Sequence, residues 1–365
     1  MILESIGRFF GRIVLAINAL VAALMMLSAF SSYLNPYTFP VLSCAGLAFP
    51  IFLLLNVLFL IFWLFFKRKY ALLPFFTLFA CVGQIRDYMP LNGFSEQVPD
   101  DAIKVLSYNV MVYGQGKLHK ADSPNEIVQY LQESNADIIC TQEAVFNKWG
   151  TSNQLKESDL RKALSTYPYY SHYQKNGNGW NCFSRYPILS SKLIDYESKG
   201  NGSMAYQLKI GADTLLLINN HLESNKLTLD DRSAYRDMIK APEEEKLKST
   251  SKLLLGKVAD AVSIRAAQAD SVAKYIRESK CKYVVVCGDF NDSPLSYAHR
   301  VIGEGLNDAF IETGNGLGIS YNRNGFYFRI DHIMASDSLE LFNCTVDDTI
   351  EASDHYPIWC YIRKK

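Results

Sequence analysis

Three short blocks in the last quarter of the chain place carboxylate, amide and imidazole side chains where an apolar run meets a loop. They are Gly-Asp-Phe-Asn-Asp at residues 288–292, Arg-Ile-Asp-His at 329–332 and Ser-Asp-His-Tyr-Pro at 353–357. Polar groups at strand ends can converge on one rim while the strands behind them stay dry. Gathered carboxylates repel one another, and Mg²⁺ relieves the repulsion because it binds oxygen ligands from carboxylates and substrate phosphate. The pattern predicts metal-assisted hydrolysis of a phosphate ester.

Three further polar residues lie upstream, each at or near the end of a strand-like run. Asn109 ends the run 105–109, Glu143 ends the run 136–143, and His221 lies near the end of the run 215–222. Taken in this order, the blocks resemble the endonuclease/exonuclease/phosphatase superfamily, the group of the DNase I-like enzymes. The resemblance covers roughly residues 103–362 and rests on the order of all the blocks, since no single block is specific.

The resemblance implies a metal site. Glu143 would be the main ligand, and Asn109 and Asp354 would complete the metal and phosphate environment. The expected ion is Mg²⁺, with Mn²⁺ as the alternative. Such an ion polarises a phosphoryl oxygen and neutralises the leaving oxygen.

The resemblance also implies a catalytic set. Asp289 would position and deprotonate the attacking water, and Asn291 would hold the phosphate during attack. His355 would contact the scissile phosphate, Asp331 would orient and charge it, and His221 would bind a phosphoryl oxygen. These residue types suit phosphoryl transfer, which requires positioning and charge neutralisation. A carboxylate beside an imidazole favours its protonated form.

Each of these residues also has an ordinary structural interpretation. Asn109 and Asn291 are typical of turns that follow strands. Glu143, taken alone, is typical of a solvated rim residue, and His221 of a hydrogen-bonded structural histidine. The joint occurrence of the blocks favours the functional interpretation.

Two neighbouring polar residues are excluded from the catalytic set. Asp292 begins an Asp-Ser-Pro turn that leads into a helix. His332 follows Asp331 on the same strand, so alternation points its side chain the other way and predicts a supporting role.

The domain alternates strand-like and helix-like segments. Helices are predicted at residues 125–134 and 158–164 and over much of 243–280. Strand-like runs joined by short turns, which indicate antiparallel hairpins, lie at 169–173, 182–184, 188–193, 204–210 and 214–221. We expect an α/β fold with two packed β-sheets flanked by helices, the same four-layer sandwich that the resemblance implies.

The first 90 residues predict a membrane anchor. Residues 13–34 and 41–66 contain no charged residue, and a spanning helix needs about 20 apolar residues. Residues 70–85 form a shorter third segment. We expect an integral membrane protein with two to three spanning helices in residues 1–90, a linker at 91–101 and a catalytic domain at 102–365. A signal peptide is the alternative for the first segment.

The basic residues predict the orientation of the anchor. Arg8 and Arg12 precede the first segment and Lys67, Arg68 and Lys69 follow the second, while the connection between the segments has no basic residue. The positive-inside rule places both basic clusters in the cytoplasm. If the third segment spans, the catalytic domain emerges on the outer side, which is the orientation we favour. If it lies in the interface, the domain stays cytoplasmic.

The distribution of charged residues along the chain helps to distinguish between classes of substrate. The chain as a whole is neutral, with 37 basic and 37 acidic residues, but six of the basic residues and two of the acids lie in the first 90 residues. The rest holds 31 basic and 35 acidic residues, a net charge of −4. A strongly basic surface, typical of non-specific nucleic-acid binding, is therefore not predicted.

Three substrate classes remain open for a phosphodiesterase or phosphomonoesterase of this kind. Nucleic acid fits the nuclease-like motifs, whereas a phospholipid or sphingolipid head group, or a small inositol-phosphate-like molecule, fits the anchor and the acidic domain. A non-catalytic binding protein on the same fold is the competing class, but it would lack one of Glu143, Asp289, Asp331 or His355. Nothing in the sequence implies a protein partner.

A charged segment from residue 222 to about 255 follows His221. It favours a solvated helical face, with a wall or lid of the active site as the alternative.

Overall fold

The computed structural model describes residues 2–93, 97–116, 123–146, 155–226, 228, 230–231, 233–234, 237, 244–323 and 326–365, with the backbone alone at 2–8 and 244–247. The strands are β1 (Ile103–Asn109), β2 (Ile138–Gln142), β3 (Tyr169–Lys175), β4 (Asn178–Ser184), β5 (Ile188–Leu193), β6 (Gly202–Ile210), β7 (Asp213–His221), β8 (Tyr283–Asp289), β9 (Leu306–Asp308), β10 (Tyr321–Arg323), β11 (Phe326–Phe328), β12 (Asp331–Ser336), β13 (Leu339–Val346) and β14 (Ile358–Lys364).

The helices fall into an amino-terminal group and a domain group. The first group is α1 (Ile2–Ala29), α2 (Pro40–Ser43), α3 (Phe49–Phe66), α4 (Leu72–Ala80) and α5 (Val82–Tyr88). The second group is α6 (Glu126–Glu133), α7 (Glu157–Ala163), α8 (Glu244–Glu278), α9 (Tyr297–Ile302) and α10 (Ala309–Thr313).

The strands form two mixed six-stranded sheets and a separate hairpin. The first sheet has the order β13-β14-β1-β2-β4-β3, and the second has the order β5-β6-β7-β8-β12-β9. Each sheet has a parallel pair at its centre, β1 with β2 and β7 with β8. The hairpin is β10-β11.

Alternation along the central strands explains why the domain has four layers. In β1, Val105 enters the core between the two sheets, whereas Leu106 enters the core under α6 and α7. In β8, Val285 faces the other sheet and Val286 faces α8 and α9. Strands that are buried on both faces need apolar residues at every position, which is why these runs lack a polar face. The predicted sandwich of two packed sheets flanked by helices is confirmed.

The predicted elements agree with the structure in type and differ at their ends. The predicted helix at 125–134 is α6, and the one at 158–164 is α7. Strand β4 begins at Asn178, four residues before the predicted run, because the Asn-Gly turn continues directly into the hairpin. The charged segment after His221 is helical from Glu244 onward, and most of 227–243 lies outside the described residues.

Two amino-terminal segments are long and apolar enough to cross a membrane. They are Phe9–Ala29 and Pro40–Phe66, and only 22% and 17% of their most apolar stretches are buried. The third predicted segment consists of α4 and α5, which meet at Cys81.

The amino-terminal helices pack against the domain that the two sheets form, and the predicted linker at 91–101 takes part in the contact. Met25, Phe49 and Cys81 share an apolar cluster with Leu295 of the domain. Asn92, inside the predicted linker, donates hydrogen bonds to two domain carbonyls at 2.9 and 2.8 Å. The sequence of the linker could not predict these contacts, because the residues that it contacts come from the far end of the chain.

Candidate active site

The polar residues predicted from the sequence converge at the carboxyl ends of the two parallel strand pairs. In the first sheet, Asn109 at the end of β1 pairs in register with the last residue of β2, and Glu143 follows directly. In the second sheet, His221 at the end of β7 pairs in register with Asp289 at the end of β8. Parallel strands bring their carboxyl ends to one edge, and the sandwich places the two edges face to face.

A glycine permits this arrangement in the second sheet. Gly288 has a φ of +126°, and a Cβ atom there would lie 2.1 Å from the carbonyl oxygen of Asn220. Only a residue without a side chain allows β7 and β8 to approach so closely one position before His221 and Asp289.

Asp289 lies at the centre of the converging groups. Its Oδ2 lies 3.1 Å from the amide nitrogen of Asn109 and 3.6 Å from the Nε2 atoms of both His221 and His355. Its Oδ1 accepts a hydrogen bond from the backbone N–H of Asn291 at 2.8 Å. Burial raises the pKa of Asp289 to about 6, although the two imidazoles oppose the rise. A carboxylate with this pKa can accept a proton near neutral pH.

The predicted Asp–His pair is formed. Oδ2 of Asp331 lies 2.8 Å from Nδ1 of His355, and both side chains are buried. Burial alone would lower the pKa of His355, but Asp331 and Asp289 outweigh it and raise that pKa well above its usual range. His355 is therefore held as an imidazolium with its Nε2 facing Asp289.

His221 differs from His355 in its charge. Burial lowers the pKa of His221, with Asp289 acting in the opposite direction. Its Nδ1 lies 2.8 Å from the amide nitrogen of Asn178. When that amide donates, the proton of His221 resides on Nε2, which lies 3.6 Å from Asp289 and 3.9 Å from Glu143. The site thus combines a neutral imidazole and a charged one around a single carboxylate.

Three non-glycine residues at the site adopt left-handed backbone conformations. The φ angles are 54° at Glu143, 53° at Asn291 and 51° at Lys226. Such conformations cost free energy in residues with a Cβ and concentrate at functional sites. Here they turn the chain sharply in the loops that follow β2, β7 and β8, and all three side chains line the cavity.

A cavity of about 260 Å³ opens above these groups. Six predicted residues line it: Glu143, His221, Asp289, Asn291, Asp354 and His355. Asn109 and Asp331 lie behind this wall and contact Asp289 and His355. The Asn291 amide donates to the carbonyl oxygen of Leu222 at 3.0 Å and has a second N–H. All eight predicted residues therefore belong to one site.

Two family models match the chain. A model described as a domain of unknown function, DUF8431, matches residues 11–88. The model of the endonuclease/exonuclease/phosphatase family matches residues 106–355. The chain belongs to the endonuclease/exonuclease/phosphatase family. As a member, it is a hydrolase of phosphate ester bonds, and enzymes of this family typically use a divalent metal ion.

Solved structures with the endonuclease/exonuclease/phosphatase fold resemble the chain at low identity. TDP2 of D. rerio, in complex with a single-strand DNA product, is 16% identical, with 73% of this chain and 100% of the other covered and a TM-score of 0.48. The human nocturnin catalytic domain with bound sulfate is 16% identical, with coverages of 73% and 95% and a TM-score of 0.48. A Bacteroides vulgatus family member is 17% identical, with coverages of 72% and 99% and a TM-score of 0.44. No curated protein matches.

The donor set of this family member fits a hard cation. Glu143 and Asp354 present carboxylate oxygens to one cavity, and such oxygens suit Mg²⁺. Asn109 has its amide nitrogen 3.2 Å from Glu143 Oε1, while its oxygen accepts from the N–H of Met111 at 3.1 Å. For Asn109 to bind a metal through oxygen, this amide would have to rotate. Asp289, Asp331 and His355 are also close enough to share an ion, but the His355 imidazolium already lies between those two carboxylates, with Nδ1 at Asp331 and Nε2 facing Asp289.

The residues excluded from the catalytic set occupy other positions. Asp292 forms a buried ion pair with Arg265 at 3.0 Å. His332 is fully buried, with Nε2 3.0 Å from the carbonyl oxygen of Asp292 and Nδ1 3.3 Å from Asp308. Alternation along β12 explains why Asp331 faces the cavity and His332 does not.

Sequence reasoning missed two kinds of residue at the site. Asn178 and Ser353 support the polar groups: Asn178 contacts His221, and Ser353 donates to the Asn109 carbonyl at 2.7 Å. The other kind is an apolar wall made of Leu47, Val258, Tyr321, Phe326, Phe328 and Ile330. The Asn-Gly turn before β4 was a visible signal for Asn178. Apolar residues so far apart in the chain carry no comparable signal.

Proposed function

We propose that this protein hydrolyses a phosphodiester or phosphomonoester bond with Mg²⁺, or alternatively Mn²⁺, as its metal ion. The observation that carries the proposal is the position of Asp289. Its Oδ2 lies 3.6 Å from each of two imidazoles, His221 and His355, on the wall of one cavity. A carboxylate placed there can take a proton from water while the imidazoles bind phosphoryl oxygens.

The reaction that this geometry supports is a direct displacement by water. Asp289 accepts one proton as the water oxygen forms a bond to phosphorus and the bond from phosphorus to the leaving oxygen breaks. His355, charged and oriented by Asp331, neutralises charge on the phosphoryl group. His221 and the second N–H of Asn291 hold the other phosphoryl oxygens. Donors fixed in advance cost little reorganisation when charge develops.

Glu143, Asp354 and Asn109 are the residues that would hold the metal ion. The ion supplies positive charge that polarises the phosphoryl oxygen and stabilises the leaving oxygen. The chemistry is the same for nucleic acid, for a phospholipid or sphingolipid head group and for a small phosphate ester. The walls of the cavity must therefore select the substrate.

The test of the metal site is Glu143→Gln, which removes a charged ligand and keeps the size of the side chain. We expect the purified variant to fold but to lose Mg²⁺-dependent hydrolysis of bis-p-nitrophenyl phosphate and p-nitrophenyl phosphate. Glu197→Gln is the matched control, because Glu197 is exposed beside the site and outside its cavity. Full activity of Glu143→Gln at an unchanged Mg²⁺ requirement would exclude Glu143 as a ligand.

We also propose that residues 1–90 anchor the protein in a membrane and that the catalytic domain lies on the outer side. Lys67 lies beside Gly11, since a Cβ on Gly11 would be 3.1 Å from its Nζ. Both basic clusters are thus at one end of the helices. The domain contacts the opposite end, where Phe49 packs against Leu295. Residues 72–88 cover roughly 25 Å as helix, close to the hydrocarbon thickness of a bilayer.

The orientation is tested with a reporter fused after Asn92. We expect a reporter that works only outside the cytoplasm to be active and a cytoplasmic one to be inactive. Replacing Lys67, Arg68 and Lys69 with Gln should scramble the orientation, because the charge asymmetry is its physical basis. A signal from the cytoplasmic reporter alone would place the domain inside the cell.

A further inference from the structure

The cavity of the candidate active site is completed by the connection between helices α1 and α3. Leu47 lines the same cavity as Glu143, Asp289 and His355. It lies in the short turn Cys44–Ala48, directly before α3. A residue of the amino-terminal region therefore forms part of the wall that faces the reacting groups.

Close packing holds this turn against the domain. A Cβ on Gly46 would lie 2.8 Å from the carbonyl oxygen of Leu295, so the backbones touch at this point. Cys44 packs with Ala259 and Val262 of α8 in an apolar cluster. Leu47 directly follows Gly46, so these two contacts hold it in place at the cavity.

Polar contacts fix the same connection at further points. The hydroxyl of Tyr37 donates to Asp270 at 2.7 Å, and Ser263 donates to the carbonyl oxygen of Pro36 at 3.2 Å. Arg300 donates to the carbonyl oxygen of Ser32 at 2.9 Å. The connection thus runs along α8 and α9 with defined partners, which gives the cavity mouth a fixed position relative to the apolar helices.

The wall next to Leu47 is apolar. Val258, Phe326, Phe328 and Ile330 face the cavity together with it. Near this wall α8 carries exposed Leu253 and Leu255. Exposed large apolar side chains next to an apolar wall are typical of a surface that meets lipid.

Positive charge is sparse among the residues that the structure describes at this mouth. Lys226 is the one lysine or arginine among the described residues that line the cavity, and it pairs with Glu223. Residues 91–365 carry a net charge of −4. Proteins usually bind a nucleic-acid strand in a groove that carries several cationic side chains. The mouth of this cavity therefore suits an apolar ligand better than a polyanion.

We infer that the substrate is a membrane phospholipid, that is, a phosphate ester that carries long hydrocarbon chains. This rests on the proposed phosphate ester hydrolysis. The phosphate lies at Asp289 and His355, and the first part of a chain lies along Leu47 and Val258. The cavity of about 260 Å³ is smaller than a drug-sized pocket, so the rest of the chain extends out of the mouth. There it meets the bilayer, because Leu47 directly precedes an apolar helix.

The experiment uses the full chain in lipid nanodiscs with Mg²⁺. Its substrates are dioleoyl and dibutyryl forms of phosphatidic acid, phosphatidylglycerol and phosphatidylethanolamine, a single-stranded oligonucleotide, and bis-p-nitrophenyl phosphate. We expect at least one dioleoyl lipid to be hydrolysed with a kcat/KM at least tenfold above that of its dibutyryl form and above that of the oligonucleotide. Phosphatidic acid distinguishes a phosphomonoesterase from a phosphodiesterase.

Leu47→Ser tests the wall itself. Loss of one apolar contact should lower the ratio of kcat/KM for the dioleoyl over the dibutyryl form by about fivefold to tenfold. The control is Leu189→Ser, the same substitution at an exposed leucine of β5, which should leave the ratio unchanged. A second variant, Gly46→Ala, displaces the turn through Leu295 and should lower the same ratio.

Two results would separate the failure of this inference from that of the proposed function. If bis-p-nitrophenyl phosphate is hydrolysed but the oligonucleotide is preferred, or if Leu47→Ser leaves the chain-length ratio unchanged, the lipid substrate is wrong and the hydrolase stands. If the folded protein hydrolyses none of the substrates with Mg²⁺ or Mn²⁺, the proposed phosphate ester hydrolysis itself is wrong.

Discussion

Replacing Asp331 with Asn tests the coupling between the carboxylate and the imidazole at the centre of the site. Asp331 and His355 are both buried and 2.8 Å apart, so the pair is little screened by water. A hydrogen bond between charged groups contributes about 1.5–3 kcal/mol, and one pKa unit corresponds to about 1.4 kcal/mol. We therefore expect the pKa of His355 to fall by roughly one to two units in Asp331→Asn.

The direction of the effect on activity follows from the sign of the shift. Asp331 and Asp289 raise the pKa of His355 against the effect of burial, so the imidazolium persists until the pH passes that raised pKa. When the pKa falls, the charged form is lost at lower pH, and the alkaline limb of the pH–rate profile moves down. Turnover should fall about 10²- to 10³-fold, the range for loss of one donor that stabilises developing charge.

The assay is the pH dependence of kcat and kcat/KM for bis-p-nitrophenyl phosphate between about pH 5 and 10. Asp308→Asn is the matched control, because Asp308 lies 2.8 Å from His299 in a second buried pair outside the cavity. The control should lower thermal stability and leave the alkaline limb in place. Normal turnover with an unshifted limb in Asp331→Asn, or an equal shift in Asp308→Asn, would refute the coupling.

Two further predictions concern stability. Burial raises the pKa of Asp289 to about 6, so its ionisation destabilises the metal-free fold, with no penalty below about pH 4 and the full penalty of about 3 kcal/mol above pH 6. Asp289→Asn should abolish hydrolysis yet raise the free energy of unfolding in EDTA at pH 8. This gain in stability should vanish near pH 4. If the variant is not more stable at pH 8, burial does not raise the pKa of Asp289. Gly288→Ala should cost more than about 3 kcal/mol or prevent folding, because its Cβ would meet backbone. The free energy of unfolding of both glycine variants is measured by urea titration. Gly256→Ala, in open space on α8, should stabilise the fold by up to about 1 kcal/mol. A similar small effect at both glycines would show that β7 and β8 can separate.

The amino-terminal region shows what composition can and cannot predict. Uninterrupted apolar runs are sufficient to predict two long helices, because length and hydropathy are local properties. They do not reveal that Gly46 contacts Leu295 or that Leu47 reaches the active-site cavity. Gly46 and Leu295 are 249 positions apart, and both contacts exist only because the helices and the domain pack together.

The candidate site also has features that the sequence predicts and features that only the fold produces. The sequence by itself determined which polar residues end the strands, since Asn109, Glu143, His221 and Asp289 each follow an apolar run and strand ends share an edge. Only the tertiary structure decided how those groups act on one another. The raised pKa of Asp289, the charge on His355 and the support from Asn178 arise from burial and from distances below 4 Å between residues that are far apart in the chain. Electrostatic coupling depends on distance and dielectric environment, and neither is a property of the chain until it has folded.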